Sequence, residues 1–191
     1  MCQTFFNTIH KDSDIIINMI ILRDMLESDI SDYVRWFTSE TDWMDYDAPW
    51  EDKGSSVDEE LKSWTEYYQS VKDLPKDETR WKFEIEYNGQ HIGWVSRYFD
   101  LEYLDNKEGI PAIGIDIPEK AFYNHGLGTE ALQRFMDYLY KAGYKRFYIQ
   151  TWSGNKRMLH VAEKLGFKVH FIKKKHRLVN KEIYDAVTLV K

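Results

Sequence analysis

Two glycines separated by one residue, Gly126 and Gly128, lie at the start of an apolar stripe with helical spacing. The stripe consists of Leu127, Ala131, Leu132, Phe135, Met136 and Leu139. Glycines at a helix start allow an anion to approach the unpaired N–H groups of the first turn, and the helix dipole adds positive potential there. The sequence therefore predicts a phosphate-binding turn that leads into an amphipathic helix.

The same glycine spacing also fits a dinucleotide-binding fingerprint. That site needs an acidic residue about 20 positions later, at the end of the next strand, to bind the ribose hydroxyls. Here the next predicted strand, "RFYIQT", ends in Gln150 and Thr151. The strands before the loop have the pattern of antiparallel strands, which also disagrees with a dinucleotide fold. We therefore favour a pyrophosphate turn in a different mixed α/β fold.

The segment before the loop predicts one strand, two helices and then further strands. "MIILRDM" is strand-like, "SDISDYVRWFTSE" predicts a helix capped by Ser28, and "VDEELKSWTEYYQSV" predicts a helix capped by Ser55 or Ser56. The period then changes to two in "RWKFEIEY" and "HIGWVSRYFD", which flank the turn Asn88-Gly89. This pattern is typical of a hairpin, and "PAIGIDI" adds a third strand.

After the loop, the pattern predicts a helix ending near Gly143, the strand "KRFYIQT", and a short helix, "NKRMLHVAEKLGF", ending at Gly166. A closing hairpin follows, formed by "KVHFIKKKHRLV" and "IYDAVTLV". The predicted order is β-α-α-β-β-β-α-β-α-β-β. The fold class is therefore α/β (α+β), with a mixed central sheet and flanking helices.

Length and charge limit the classes of function. The chain has 191 residues and suits one domain, which we place at 19–191, with 1–18 as an extension because Met19 is an alternative start. The net charge of −6 argues against a nucleic-acid surface, and no apolar run approaches the roughly 20 residues of a membrane span. A single cysteine, Cys2, excludes an internal disulfide and favours a reducing, cytoplasmic setting.

Two segments carry a resemblance to a known family. "GIDIPEKAFYNHGLGTEAL" and "TWSGNKRMLHVAEKLGF" resemble the acetyl-CoA-binding half of the GNAT N-acetyltransferase superfamily, and in particular the ribosomal-protein-alanine acetyltransferase branch (RimJ/RimL type) with its small-molecule-modifying relatives. The superfamily loop, [Q/R]-x-x-G-x-[G/A], corresponds to 123–128. Tyr123 replaces the usual Gln or Arg, and the aromatic pair Phe122-Tyr123 is similar to that branch.

The resemblance implies a GNAT fold in which two splayed strands admit acetyl-CoA as the co-substrate, without a metal. Backbone groups of Ile115 and Ile117 would pair with the pantetheine arm, and an N–H near Ile117 would face the thioester oxygen. Asn155 would bind the pantetheine arm, although a simple N-cap also explains it. The pyrophosphate would be bound by the loop residues His125, Gly126, Leu127, Gly128 and Thr129.

The chain departs from the superfamily at two positions that matter for catalysis. Ala112 stands where many members carry a Glu, and Ala162 where many carry a Tyr acid. A base is still needed, because an amine with a pKa near ~10 must lose a proton before it attacks. The candidates are Asp116 first, then Glu84 and Glu86, with Asp100 a weaker option, and Tyr98 and Ser153 as proton donors.

An acidic and aromatic N-terminal half suits a cationic acceptor. The candidate acceptor contacts are Trp36, Trp43, Tyr46 and Trp50, with Asp45 and Asp47. Core packing explains the tryptophans equally well. The first hypothesis is acetylation of a small cationic amine. The alternatives are N-terminal acetylation of a protein, suggested by the branch, and a module that binds acetyl-CoA without turnover. A homodimer is a further expectation, with no interface indicated.

Overall fold

The computed structural model describes residues 19–102 and 104–191, so the predicted extension at 1–18 lies outside the described residues. The described strands are β1 (Ile20–Arg23), β2 (Lys82–Tyr87), β3 (Gln90–Tyr98), β4 (Ala112–Asp116), β5 (Tyr148–Trp152), β6 (Lys168–Val179) and β7 (Glu182–Val190). The described helices are α1 (Ile30–Thr38), α2 (Met44–Asp47), α3 (Val57–Val71), α4 (Leu127–Lys141) and α5 (Lys156–Lys164). None of these helices is long and apolar enough to cross a membrane.

The strands form one sheet in the order β1-β2-β3-β4-β5-β7-β6. All neighbours are antiparallel except β4 and β5, which are parallel and pair only at Ala112 and Tyr148. Beyond that pair the two strands separate. The predicted mixed sheet with splayed strands is therefore confirmed.

One face of the sheet is covered by α4 and α5. The apolar stripe of α4 is buried there, and Leu132, Phe135 and Met136 are completely inaccessible. They pack against Ile85 of β2 and Ile113 of β4. Because α4 begins directly after the glycine loop, this packing also fixes the position of the loop beside β4.

The opposite face of the sheet is covered by α1 and α3, which enclose an aromatic cluster. Tyr33 and Trp36 of α1 are fully buried, and they pack with Trp43 and with Trp94 of β3. Tyr33 stacks on Trp64 of α3 with ring centroids 3.7 Å apart. The acidic N-terminal half therefore covers the sheet face on which Trp94 of β3 and its strand partner Asp116, at the end of β4, lie.

Most of the predicted elements are confirmed, with two differences. Ser56 caps α3, and the left-handed φ angles of Asn88 (51°) and Gly143 (99°) agree with the predicted hairpin turn and helix end. The prediction that Ser28 caps α1 is wrong. A single 3₁₀ turn precedes α1, and the carboxylate of Asp29 accepts the Leu26 N–H at 2.7 Å instead. The short α2 was not predicted, because four residues contain too little periodic signal.

Candidate active site

The separation of β4 and β5 opens a cavity of about 670 Å³, which is within the usual range of small-molecule sites. Its walls come from the ends of these strands, the glycine loop, the start of α5, and α2. The cavity therefore brings the two resembling segments and the acidic N-terminal half to one place.

Backbone groups of β4 face this gap. The Tyr148 N–H donates to the Pro111 carbonyl at 2.9 Å, so Pro111 points its backbone toward β5. Alternate residues of a strand direct their backbone groups to the same side, which places those of Ile113 and Ile115 toward the gap as well. Ile117 follows in the same alternation, and Ile115 and Ile117 both line the cavity.

The glycine loop leaves an open cradle at the start of α4. Gly126 has a φ of 81°, and a Cβ built on it would meet nothing within 4 Å. Gly126, Gly128 and Thr129 line the cavity. His125 is exposed and is not part of the lining, while the Leu127 side chain is buried in the core under α4. These two residues therefore face the cavity through their backbone at most.

The helix α2 is attached to the opposite wall through one residue, Tyr46. Its carbonyl accepts hydrogen bonds from Trp152 Nε1 at 2.9 Å and from Asn155 Nδ2 at 2.7 Å. Asn155 also caps α5 by accepting the Met158 N–H at 3.0 Å. The N-cap interpretation of Asn155 is thus confirmed, and Asn155 also lines the cavity.

A guanidinium lies between two aromatic rings at this junction. The Arg157 Cζ atom is 3.9 Å from the ring centroid of Tyr46 and 4.2 Å from that of Tyr123. Tyr46 belongs to α2, and Tyr123 directly precedes the glycine loop. Sequence reasoning missed Arg157. The available signal was a cation in the first turn of a helix, where the dipole disfavours it.

Two carboxylates line the cavity from opposite walls. Asp116, half-buried at the end of β4, has its pKa raised well above its usual value by burial, and the charge of Asp47 adds to the effect while Lys82 opposes it. Asp47, at the end of α2 and still exposed to solvent, has its pKa raised by the surrounding protein atoms and by Glu51. Proton exchange and cation binding are the chemistry available to such a pair.

The other two candidate bases do not line the cavity. Glu84 is 1% exposed and lies under α1, where it accepts the Tyr33 hydroxyl at 2.5 Å and contacts His91 Nε2 at 3.1 Å. Glu86 pairs with Arg23 at 2.7 Å at the β1 edge of the sheet. Because both carboxylates are committed to these partners, the structure brings neither to the site of Asp116.

A buried lysine behind Asp116 was also missed by sequence reasoning. The Lys82 Nζ atom lies over four aromatic rings at 4.3 to 5.1 Å and 3.7 Å from Glu84. Burial lowers its pKa, although the charges of Glu84 and Asp116 act in the opposite direction. The alternation in "RWKFEIEY" predicts on which face of the sheet Lys82 lies, but it does not predict the helices that cover that face.

Next to Lys82, the side chains of Asp29, Asp32 and His91 approach one another closely enough to suggest a metal site. Burial would lower the pKa of His91, but its hydrogen bonds to Asp32 and Glu84 and the nearby charges raise it to about 9. Arg23 also binds both oxygens of Asp29 at 2.6 and 2.8 Å. Because Arg23 pairs with Asp29 and both ring nitrogens of His91 lie 3.1 Å from carboxylates, we interpret this cluster as a network of ion pairs.

The four predicted aromatic contacts divide into two pairs. Trp43 and Tyr46 line the cavity. Trp36 is fully buried, and its Nε1 donates to Glu119 at 3.0 Å. Trp50 lies outside the lining, next to Trp152 and under the guanidinium of Arg177 at 4.3 Å. Core packing therefore accounts for Trp36, as the alternative interpretation held.

Ala112 and Ala162, the two residues at which the chain departs from the superfamily, are both fully buried. Of the two candidate proton donors, Tyr98 lines the cavity, whereas the Ser153 hydroxyl is outside the lining and accepts the Asp185 N–H at 3.0 Å. Asp45, an exposed residue that pairs with Lys53, and Asp100, exposed on a loop, are also outside the lining.

Comparisons with known proteins agree with this geometry. Solved structures of similar fold include yncA from Salmonella typhimurium with its cofactor acetyl-CoA (19% identity, TM-score 0.65, covering 91% of this chain and 93% of that chain). Another is ribosomal-protein-S5-alanine acetyltransferase from Vibrio fischeri (20%, 0.69, 90% and 92%). A third is RimL, a ribosomal L7/L12 alpha-N-protein acetyltransferase in complex with coenzyme A (17%, 0.69, 92% and 95%).

At these identities the structural neighbours show the fold alone, and no curated protein matches the sequence. The family model of the acetyltransferase (GNAT) domain, however, matches residues 19–168, which is most of the chain. The family expected from the two segments is therefore confirmed: this chain belongs to the GNAT acetyltransferase family.

Proposed function

We propose that the chain transfers the acetyl group of acetyl-CoA directly to the primary amine of a small cationic molecule. The observation that carries this proposal is the pair of carboxylates, Asp116 and Asp47, in one cavity with Trp43 and Tyr46. A cavity that combines two carboxylates with aromatic faces favours a positively charged ligand.

The donor wall of the cavity, formed by the end of β4, the glycine loop and the start of α5, suits acetyl-CoA. The cradle at Gly126 and Gly128 has room for a pyrophosphate at the free amides of α4. The unpaired edge of β4 at Ile115 offers backbone groups to the amides of a pantetheine arm. The bound acetyl-CoA in the yncA structure and the bound coenzyme A in the RimL structure support this assignment.

On this proposal, Asp116 accepts the proton that the ammonium group loses, directly or through water, and the free amine attacks the thioester carbon. The N–H of Ile117 hydrogen-bonds the carbonyl oxygen as negative charge develops on it; Pro118 has no N–H, so the donor precedes it. The carbon–sulfur bond then breaks, Tyr98 gives its proton to the thiolate, and the proton that the nitrogen loses as the amide forms returns to the Tyr98 oxygen. The acceptor wall, α2 with Trp43 and Asp47, binds the charge of the acceptor.

N-terminal acetylation of a protein is the second candidate, supported by the ribosomal-protein acetyltransferases among the structural neighbours. A module without turnover is the third, suggested by Ala112 and Ala162. The first two candidates differ in their acceptor, and the third has none. A small amine that carries a second positive charge can pair with both carboxylates of the cavity. A peptide N-terminus has one positive charge, and the cavity must also hold its chain.

A panel assay separates the three. Purified protein is incubated with acetyl-CoA and diamines, polyamines, aminoglycosides, amino acids or short peptides with N-terminal alanine or serine, and free thiol release is followed. We expect release with a cationic small amine. Release with peptides alone would favour the second candidate, and measurable acetyl-CoA binding with no release in any arm would favour the third.

A further inference from the structure

The contacts of Arg157 lead us to infer a role that the family match does not assign. We propose that Arg157 is a positioning residue, which holds the acceptor wall against the donor wall by lying against Tyr46 and Tyr123. The terms donor and acceptor rest on the proposed function above. The guanidinium is 3.9 and 4.2 Å from the two ring centroids, within the range of a cation–π contact.

The position of Arg157 needs such an explanation. It lies in the first turn of α5, which contains no acidic residue, and the positive end of the helix dipole disfavours a cation there. In the part of the chain that the structure describes, Arg157 forms no ion pair with a carboxylate, and its guanidinium lies against Tyr46 and Tyr123, whose hydroxyl also interacts with it. The two tyrosines therefore stabilise its charge.

The link to the acceptor wall passes through Tyr46. Its carbonyl accepts hydrogen bonds from Trp152 and Asn155, which anchors the main chain of α2 at this one residue. Its ring is held by Arg157 and meets Tyr123 edge-on at 6.4 Å. The next residue is Asp47, so the direction of its carboxylate depends on how Tyr46 is held. Loss of Arg157 should leave the donor wall intact and loosen the acceptor wall.

The test combines Arg157→Met, which keeps the length and removes the charge, with Tyr46→Leu and the double variant. With the best acceptor from the amine panel, we expect each single variant to raise the acceptor KM by about fivefold to thirtyfold, as a lost cation–π contact implies. We expect the Kd of acetyl-CoA, measured by calorimetry, to change less than about twofold. The effects should be less than additive in the double variant, because both substitutions remove the contact between Arg157 and Tyr46, although each also removes a further contact.

A matched control is Arg134→Met on α4, where the guanidinium binds Glu130 on the helix surface, outside the cavity. Arg157→Lys keeps the charge without the planar face and should restore part of the acceptor KM. Two outcomes would overturn the proposal. One is weaker acetyl-CoA binding with an unchanged acceptor KM, which would make Arg157 a phosphate ligand. The other is additive effects in the double variant.

A second measurement does not depend on finding an acceptor, so it separates this proposal from the proposed function. Hydrogen exchange in the unliganded protein should become faster at 43–47 in Arg157→Met, with the amides of α4 and β5 unchanged. Arg134→Met should leave 43–47 as in the parent protein. Unchanged exchange at 43–47 in Arg157→Met would overturn the positioning role even if the panel yields an acceptor.

Discussion

Asp47 and Asp116 face one cavity from opposite walls, one from the short helix α2 and the other from the end of β4. The charge of Asp47 helps to raise the pKa of Asp116, after burial. The first residue belongs to the part of the chain that we assign to the acceptor, and the second to the strand that we assign to acetyl-CoA. Their proximity is the basis of the predictions about catalysis.

The first prediction concerns the base. Asp116→Asn removes the proton acceptor with little change in volume, so we expect kcat to fall by about 10²-fold to 10⁴-fold while acetyl-CoA still binds. Steady-state kinetics with the best acceptor and calorimetry with acetyl-CoA check this. Glu86→Gln, at the β1 edge of the sheet, is the matched control and should retain activity. Equal losses in both variants would remove Asp116 from the mechanism.

The second prediction concerns pH. A base acts when it is deprotonated, so activity should be lost as the pH falls through the raised pKa of Asp116. Asp47→Asn removes a neighbouring negative charge and should move this loss to lower pH. The shift should be modest, because burial is the larger cause. The measurement is the ratio of kcat/KM between variant and parent at several pH values, in which the titration of the acceptor cancels. A ratio that does not change with pH would contradict the prediction.

Lys82 should act on the same profile in the opposite direction. Its charge lowers the pKa of Asp116, so Lys82→Met should raise that pKa and move the loss of activity to higher pH. We also expect a loss of stability, because Lys82→Met removes one partner of a buried ion pair and leaves the Glu84 carboxylate, 3.7 Å away, less compensated. The check is the pH profile together with urea unfolding. A shift to lower pH would show that Lys82 does not face Asp116.

The fourth prediction concerns the glycine loop. Gly126 has a φ of 81°, which costs other residues roughly 1–2 kcal/mol, and a side chain there would point into open space at the cradle. We expect Gly126→Val to weaken acetyl-CoA binding. Gly143→Ala is the control, since it introduces similar strain at the other end of α4 (φ 99°), away from the cavity. Unchanged affinity in a folded Gly126→Val protein would place the pyrophosphate elsewhere.

The fifth prediction concerns stability. The pKa of His91 is about 9 in the folded protein, above its ordinary value of 6.5. The protonated imidazole therefore contributes stability that is complete below pH 6.5 and is lost as the pH rises through 9. A shift of this size corresponds to a free energy on the order of 3 kcal/mol. Urea unfolding at several pH values should show the parent losing its advantage over His91→Gln in this window, whereas the exposed His160→Gln should follow the parent.

The amino-acid sequence by itself determined the order of the seven strands and the four longer helices, and the position of the glycine loop, because these depend on local signals. Periodicity places Leu132 and Phe135 on one face of α4. Glycine is favoured where a residue with a left-handed φ precedes a helix, as Gly126 does here. The two resembling segments also identified the family, since they lie in the right order along the chain.

Only the tertiary structure decided which side chains reach the cavity. Glu84 and Asp116 lie on the same face of the sheet, yet Tyr33 and His91 cover Glu84, whereas the splayed end of β4 leaves Asp116 on the cavity wall. Trp36 is likewise buried, although Trp43, seven residues later, lines the cavity. The physical reason is that a strand or helix encodes its own faces locally, while the element that covers each face is set by contacts distant in the chain.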